Sequence, residues 1–232
     1  MMLPANDMHD ELSLTELHEA RVQIYQWFSQ QFLTELAEGP WQALCQHQLT
    51  PFFDLLTDLG LGAEVTAYTQ AIERLKQQYG DEARIRLASD FAHAFLLSGR
   101  DSALPYASAY EADADGQLYG VATRVMKQFL QQIGLSLPAE FTEPEDHLVV
   151  YLVVLSALAA PERSKPEKKQ LAQQLDFIEQ ALLSWLPQFV AAVQKVSLHS
   201  TVYPRLAILL LAYVQQDQRF LKNQLLQVTA SE

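Results

Sequence analysis

Cysteine is almost missing from this 232-residue chain, where Cys45 stands alone. One thiol excludes an internal disulfide and any multi-cysteine zinc centre, and it fits a reducing compartment. Bases are scarce too: 16 against 28 acids, a formal net charge of −12. That balance disfavours binding along a nucleic-acid backbone, which relies on Lys and Arg neutralising phosphates. It leaves room for a basic partner. The 8 glycines stand singly near helix ends, where capping explains them. No GxxxxGK[ST] cradle, GxGxxG fingerprint or GxSxG elbow occurs, which disfavours an ATPase, a Rossmann dehydrogenase and an α/β-hydrolase. The histidines His9, His18, His47, His93, His147 and His199 form no HExxH pair, and Cys45-Gln46-His47 offers only two ligands. No zinc site is expected. The most apolar run, Leu148–Leu155, falls far short of the ~20 residues that cross a bilayer. Met1–Asp10 lack the basic start and apolar core of a secretory signal. No membrane insertion is expected, and the expected location is the cytoplasm.

Strand-like alternation is absent as well, and helical spacing recurs from end to end. Hydrophobic residues make up 49% of the chain, enough for a substantial core. Ser13-Leu14-Thr15-Glu16 is a capping box, followed by Leu17, Ala20, Ile24 and Phe28 on one face, with Gly39-Pro40 as the stop. Thr50-Pro51 opens a helix through Phe53 and Leu56. Val65, Tyr68, Ile72, Leu75 and Tyr79 form the next stripe, closed by Gly80. Leu87, Phe91, Ala94 and Phe95 follow, closed near Gly99. Arg100–Gly116 reads as a loop ending in the turn-prone Asp113–Gly116. The period restarts at Val121, Val125, Phe129 and Ile133. A helix over Glu143–Ala160 is apolar nearly all round, and a second capping box, Ser164 with Glu167, opens the next. The fold class is all-α: a compact bundle of nine or ten helices. Residues 1–133 form an N-terminal lobe, 134–142 a hinge and 143–232 a C-terminal lobe. A short hinge of this kind permits lobe exchange between two copies.

Two motifs carry the functional signal. Glu143-Pro144-Glu145-Asp146-His147 precedes the apolar run directly. Proline suits a first helical turn, and acids there complement the helix dipole. Asp146 and His147 are adjacent, and neighbours on a helix point about 100° apart, so they do not form a catalytic dyad with each other. In Pro105-Tyr106-Ala107-Ser108-Ala109-Tyr110, the residues Tyr106, Ser108 and Tyr110 alternate. An extended backbone would place all three on one side, and hydroxylated rings suit peptide contacts.

The ordered set Phe91…Phe95, Pro105-Tyr106-x-Ser108-x-Tyr110, Tyr119-Gly120 and Glu143-Pro144-x-Asp146-His147-Leu148 resembles the TorD/DmsD family of redox-enzyme maturation chaperones. The likeness runs from about Leu17 into the last helix. It implies a non-enzymatic role, in which the chain binds the twin-arginine signal peptide and apo form of a molybdoenzyme and holds it until molybdopterin is inserted and Tat export is safe. The motifs are nearest those of the branch serving trimethylamine N-oxide reductase. The resemblance implies peptide binding at Pro105, Tyr106, Ser108, Tyr110, Glu143, Pro144, Asp146 and His147, with Phe91 and Phe95 as an aromatic stripe. Some relatives carry Trp where this chain has Tyr106, a departure that bears on client identity. Weak guanine-nucleotide binding is implied by the resemblance alone; otherwise no cofactor is expected. The expected state is monomer or homodimer. Carboxylates can grip guanidinium groups through paired hydrogen bonds, so Asp146 and Glu143 are expected to meet the leader arginines, with Tyr106, Tyr110, Phe91 and Phe95 lining the apolar part. Two rivals stand beside this reading. One is a small metal-dependent hydrolase using Asp146 and His147 with Asp90 or His93. The other is a helical adaptor for a folded partner.

Overall fold

The helix that organises the chain is α7, Leu148–Ala159. Its residues are apolar on every side, so it is stable only when surrounded, and all but a few of them are buried. The structure is a computed structural model describing residues 14–97, 101–111, 120–160 and 168–230. Both capping boxes, the Asp113–Gly116 turn, Gly99 and Tyr119 include or are residues outside that set.

The other helices are α1 (Leu14–Leu33), α2 (Glu38–Cys45), α3 (Thr50–Leu56), α4 (Gly62–Tyr79), α5 (Ala83–Phe91), α6 (Val121–Ile133), α8 (Lys168–Asp176), α9 (Leu186–Val193) and α10 (Val202–Ala230). Turns over Thr57–Leu61 and Gly80–Glu82 join α3, α4 and α5 without a gap, so these ten segments form eight continuous stretches among the described residues. The α5 helix runs on through Leu96, and α8 through Leu182. Gly39 and Pro40 do not stop α1, which ends at Leu33; they lie in the first turn of α2. Proline needs no hydrogen-bonded N–H there.

The most extensive helix packing sets α1 along α7, and α10 lies against α4, α8 and α9. The stretches before and after residues 134–142 therefore share one hydrophobic core. Gly134 ends α6 at φ +67°, a left-handed cap that glycine takes without Cβ strain. Buried Arg21 on α1 clasps Asp217 on α10 through Nε to Oδ1 (2.6 Å) and a second nitrogen to Oδ2 (3.0 Å). Gln174 on α8 accepts from Arg21 at 2.8 Å, and the Tyr25 hydroxyl donates to Asp217 at 2.6 Å. One polar knot thus ties three helices inside the core, where its members satisfy each other.

Candidate functional site

The two motifs meet. Leu148 N donates to Pro105 O (2.7 Å) and Ala107 N to Asp146 O (3.0 Å). These bonds set Tyr106 and His147 opposite each other in an antiparallel bridge. Their rings meet edge to face at 4.9 Å, and the Tyr106 hydroxyl donates to Glu143 Oε2 at 2.5 Å.

Helix α7 starts later than the sequence suggests. Glu143–His147 form a turn, and His147 is the N-cap: its Nδ1 accepts from Val149 N at 3.1 Å. An accepting Nδ1 puts the ring proton of the neutral form on Nε2. Burial pulls the His147 pKa from 6.5 to about 4, against the raising effect of Glu143 and Asp146, so the ring is neutral at pH 7. Pro144 is buried in the turn, its carbonyl accepting from His147 N. Asp146 has no exposed surface. Its Oδ2 accepts from Ser108 N (2.8 Å) and its Oδ1 from the Thr123 hydroxyl (2.7 Å). A buried carboxylate held by two donors is a brace: it locks the loop and α6 to the mouth of α7. Asp146 therefore offers no free oxygen to an arginine, contrary to the expected grip. Glu143 is the motif acid that reaches the surface, with Glu145 half-buried beside it.

The loop is not extended. After Tyr106 the backbone winds into a 3-10 turn over Ala107–Tyr110, so Tyr106, Ser108 and Tyr110 do not share a side. Tyr106 goes to Glu143 and His147, and Ser108 is buried under Asp146. Tyr110 stacks on Trp185 at 5.8 Å and meets Phe189 edge-on at 6.3 Å. Phe91 and Phe95 are only 3% and 2% exposed. They pack on each other at 5.3 Å, and Phe95 reaches Phe189 at 6.0 Å. In this conformation they back the wall that Tyr110 faces and do not line a surface.

The outer face of α6 borders a groove of about 510 Å³. Val121 and Val125 line it from α6 and Ala181 and Trp185 from the stretch after α8, and Phe129 stacks on Phe177 at 4.8 Å between them. The α6 stripe read from the sequence is thus the groove face. The core face of this helix is Thr123, Met126 and Leu130. The signal was present in the apolar residues on two faces of α6. The Glu111 carboxylate caps α6, accepting from Ala122 N at 2.6 Å and Val121 N at 3.3 Å. A Cβ at Gly120 would lie 2.5 Å from Glu111 Oε2, so a larger residue there would have to displace the capping carboxylate. Among the described residues, Glu111 and Asp176 are the charged ones in the groove lining. On the other side of α6, a shallow pocket of about 450 Å³ is lined by Thr123, Arg124, Lys127, Thr142 and Glu143–Glu145. Lys127 reaches Glu145 at 3.6 Å there.

Asp90 and His93 do not join Asp146 and His147. Buried Asp90 accepts from His199 N (2.6 Å) and Ser200 N (2.9 Å), fastening the chain before α10. Among the described residues no group of three or more His, Cys, Asp or Glu is arranged to hold a metal, and no helix is long and apolar enough to cross a membrane.

The helical scaffold thus braces its motif acid internally and opens an apolar groove near surface carboxylates. Residues 60–191 match the family described as nitrate reductase delta subunit. A chaperone protein TorD from Psychrobacter sp. (strain PRwf-1) is 40% identical over 208 residues, 88% of this chain and 92% of that one. One from Actinobacillus pleuropneumoniae serotype 7 (strain AP76) is 39% identical over 201 residues, 86% and 94% of the two chains. One from Vibrio cholerae serotype O1 (strain M66-2) is 37% identical over 227 residues, 96% and 100%. The chain belongs to the nitrate reductase delta subunit family and, within it, to the TorD redox-enzyme maturation chaperones. It is a chaperone and not an enzyme.

Proposed function

We propose that this protein is a cytoplasmic chaperone that binds the twin-arginine signal peptide of a molybdoenzyme precursor, together with its apo form. It holds the precursor until molybdopterin is inserted and so prevents premature Tat export. Trimethylamine N-oxide reductase is the client the motifs favour. The observation that carries this reading is the Tyr106–His147 bridge. It welds the loop and the acidic turn into one wall beside an apolar groove, on a chain of net charge −12. An arginine pair followed by an oily segment matches carboxylates next to apolar walls. Glu143 and Glu145 supply the surface carboxylates, while Asp146 and His147 hold the wall in shape. Phe91, Phe95 and Phe189 back it.

A pull-down with tagged chaperone, from cells expressing the precursor with and without its leader, tests this. Recovery of the precursor, lost when the leader is deleted, is the expected result. Equal recovery of both forms would remove the leader from recognition.

A further inference from the structure

Another pocket, of about 450 Å³, opens between α4, the segment before α10 and the first turns of α10. Its charge runs against the rest of the molecule. Acids outnumber bases on this chain, 28 to 16, and Arg21, Arg84 and Arg86 each pair with one. Arg74 on α4 and Arg205 on α10 are exposed, and both line this pocket. Arg74 reaches only the side-chain amide of Gln70, at 3.3 Å. Among the described residues, no carboxylate lines the cavity. Leu75, Leu198 and Ile208 give it apolar surface as well. Two guanidinium groups over one cavity, with no acid between them, call for an anion. Main-chain amides, a common cradle for phosphate, are largely spent here. Asp90 takes those of His199 and Ser200, the Ser200 hydroxyl takes that of Val202, and Pro204 has none. A carboxylate fits the arginine fork without them.

We propose that this pocket docks an acidic segment of the client polypeptide, outside its leader. Two carboxylate side chains meet Arg74 and Arg205, and a neighbouring apolar side chain rests on Leu75 and Ile208. The inference goes beyond the leader reading, because it adds a second contact of opposite sign. The two contacts do not compete: the Glu143–Glu145 turn repels an acidic segment, and the arginine pocket repels leader arginines.

A labelled peptide, blocked at both ends and carrying paired glutamates among alanine and leucine, is titrated at low salt into the wild-type protein and the variants Arg74→Gln, Arg205→Gln and Arg219→Gln. All three arginines are exposed, so glutamine there spares the core. Arg219 lies on α10 outside the pocket lining, and its loss removes the same charge. Circular dichroism checks that all fold alike. The expected result is a loss of affinity of about fivefold or more in Arg74→Gln and in Arg205→Gln, and none in Arg219→Gln. The same peptide with glutamine in place of glutamate should bind wild type more weakly by a similar factor. If wild type does not bind the acidic peptide, or the two pocket variants bind it as tightly as wild type, the pocket is no acidic dock. The leader reading, tested by the pull-down, stands or falls apart from that result. If inorganic phosphate binds wild type more tightly than the peptide, and weakens in the same two variants, the pocket is a phosphate site and the proposal is overturned. If either pocket variant lowers the native mass of the protein alone, a second copy fills the pocket and the proposal is likewise overturned.

Discussion

At the scale of single residues, His147 shows how position sets chemistry. It sits in a motif that looks suited to acid–base work. Yet its Nδ1 is spent on the α7 N-terminus and its ring is buried against Tyr106. The folded-state pKa is about 4, below the ordinary 6.5. As pH falls from 6.5 toward 4, only the unfolded chain takes up this proton, so stability declines through that window and is fully present above it. The pKa difference bounds the effect at ~3 kcal/mol. Asparagine is also a good N-cap, so His147→Asn should keep the cap and flatten much of the acid slope in urea unfolding run from pH 7 to 4. Some slope should remain, because burial lowers the His18 pKa in the same direction. An unchanged slope in His147→Asn would contradict a neutral buried ring.

At the scale of elements, helical spacing marked α4, α7 and much of α1 correctly. On α6 it grouped Val121, Val125 and Phe129 without telling that they border a groove. A period tells which residues share a face; it does not tell whether another element covers that face. The late start of α7 was hidden for a related reason. Pro144 suits a first helical turn, but a histidine ring acting as cap three residues on moved the boundary. The Pro105–Tyr110 alternation was real in sequence and misleading in space, because Asp146 pulls Ser108 N into a 3-10 turn. The Arg21–Asp217 clasp spans 196 residues, beyond any local pattern. Removing one partner leaves the other charge buried, which costs ~3–5 kcal/mol. Asp217→Ala should lose that much in denaturant unfolding, and Arg21→Met with Asp217→Leu should recover much of it. A double variant no more stable than Asp217→Ala would argue that the clasp stabilises by more than mutual neutralisation.

At the scale of the whole molecule, an acidic helical body presents carboxylates and an apolar groove on the two sides of one helix, α6. Its net charge of −12 should draw a cationic ligand, and that attraction should weaken with salt. What the sequence made legible here was the pairing of motifs; what it concealed was the division of labour, with Asp146 and His147 inside and Glu143 outside. The deciding measurement is a calorimetric titration of the leader peptide at low salt into wild type and into Glu143→Gln/Glu145→Gln. The expected result is at least tenfold weaker binding by the double variant, with the gap narrowing as salt is added. Equal affinity at low salt would contradict recognition of the leader arginines by this acidic turn.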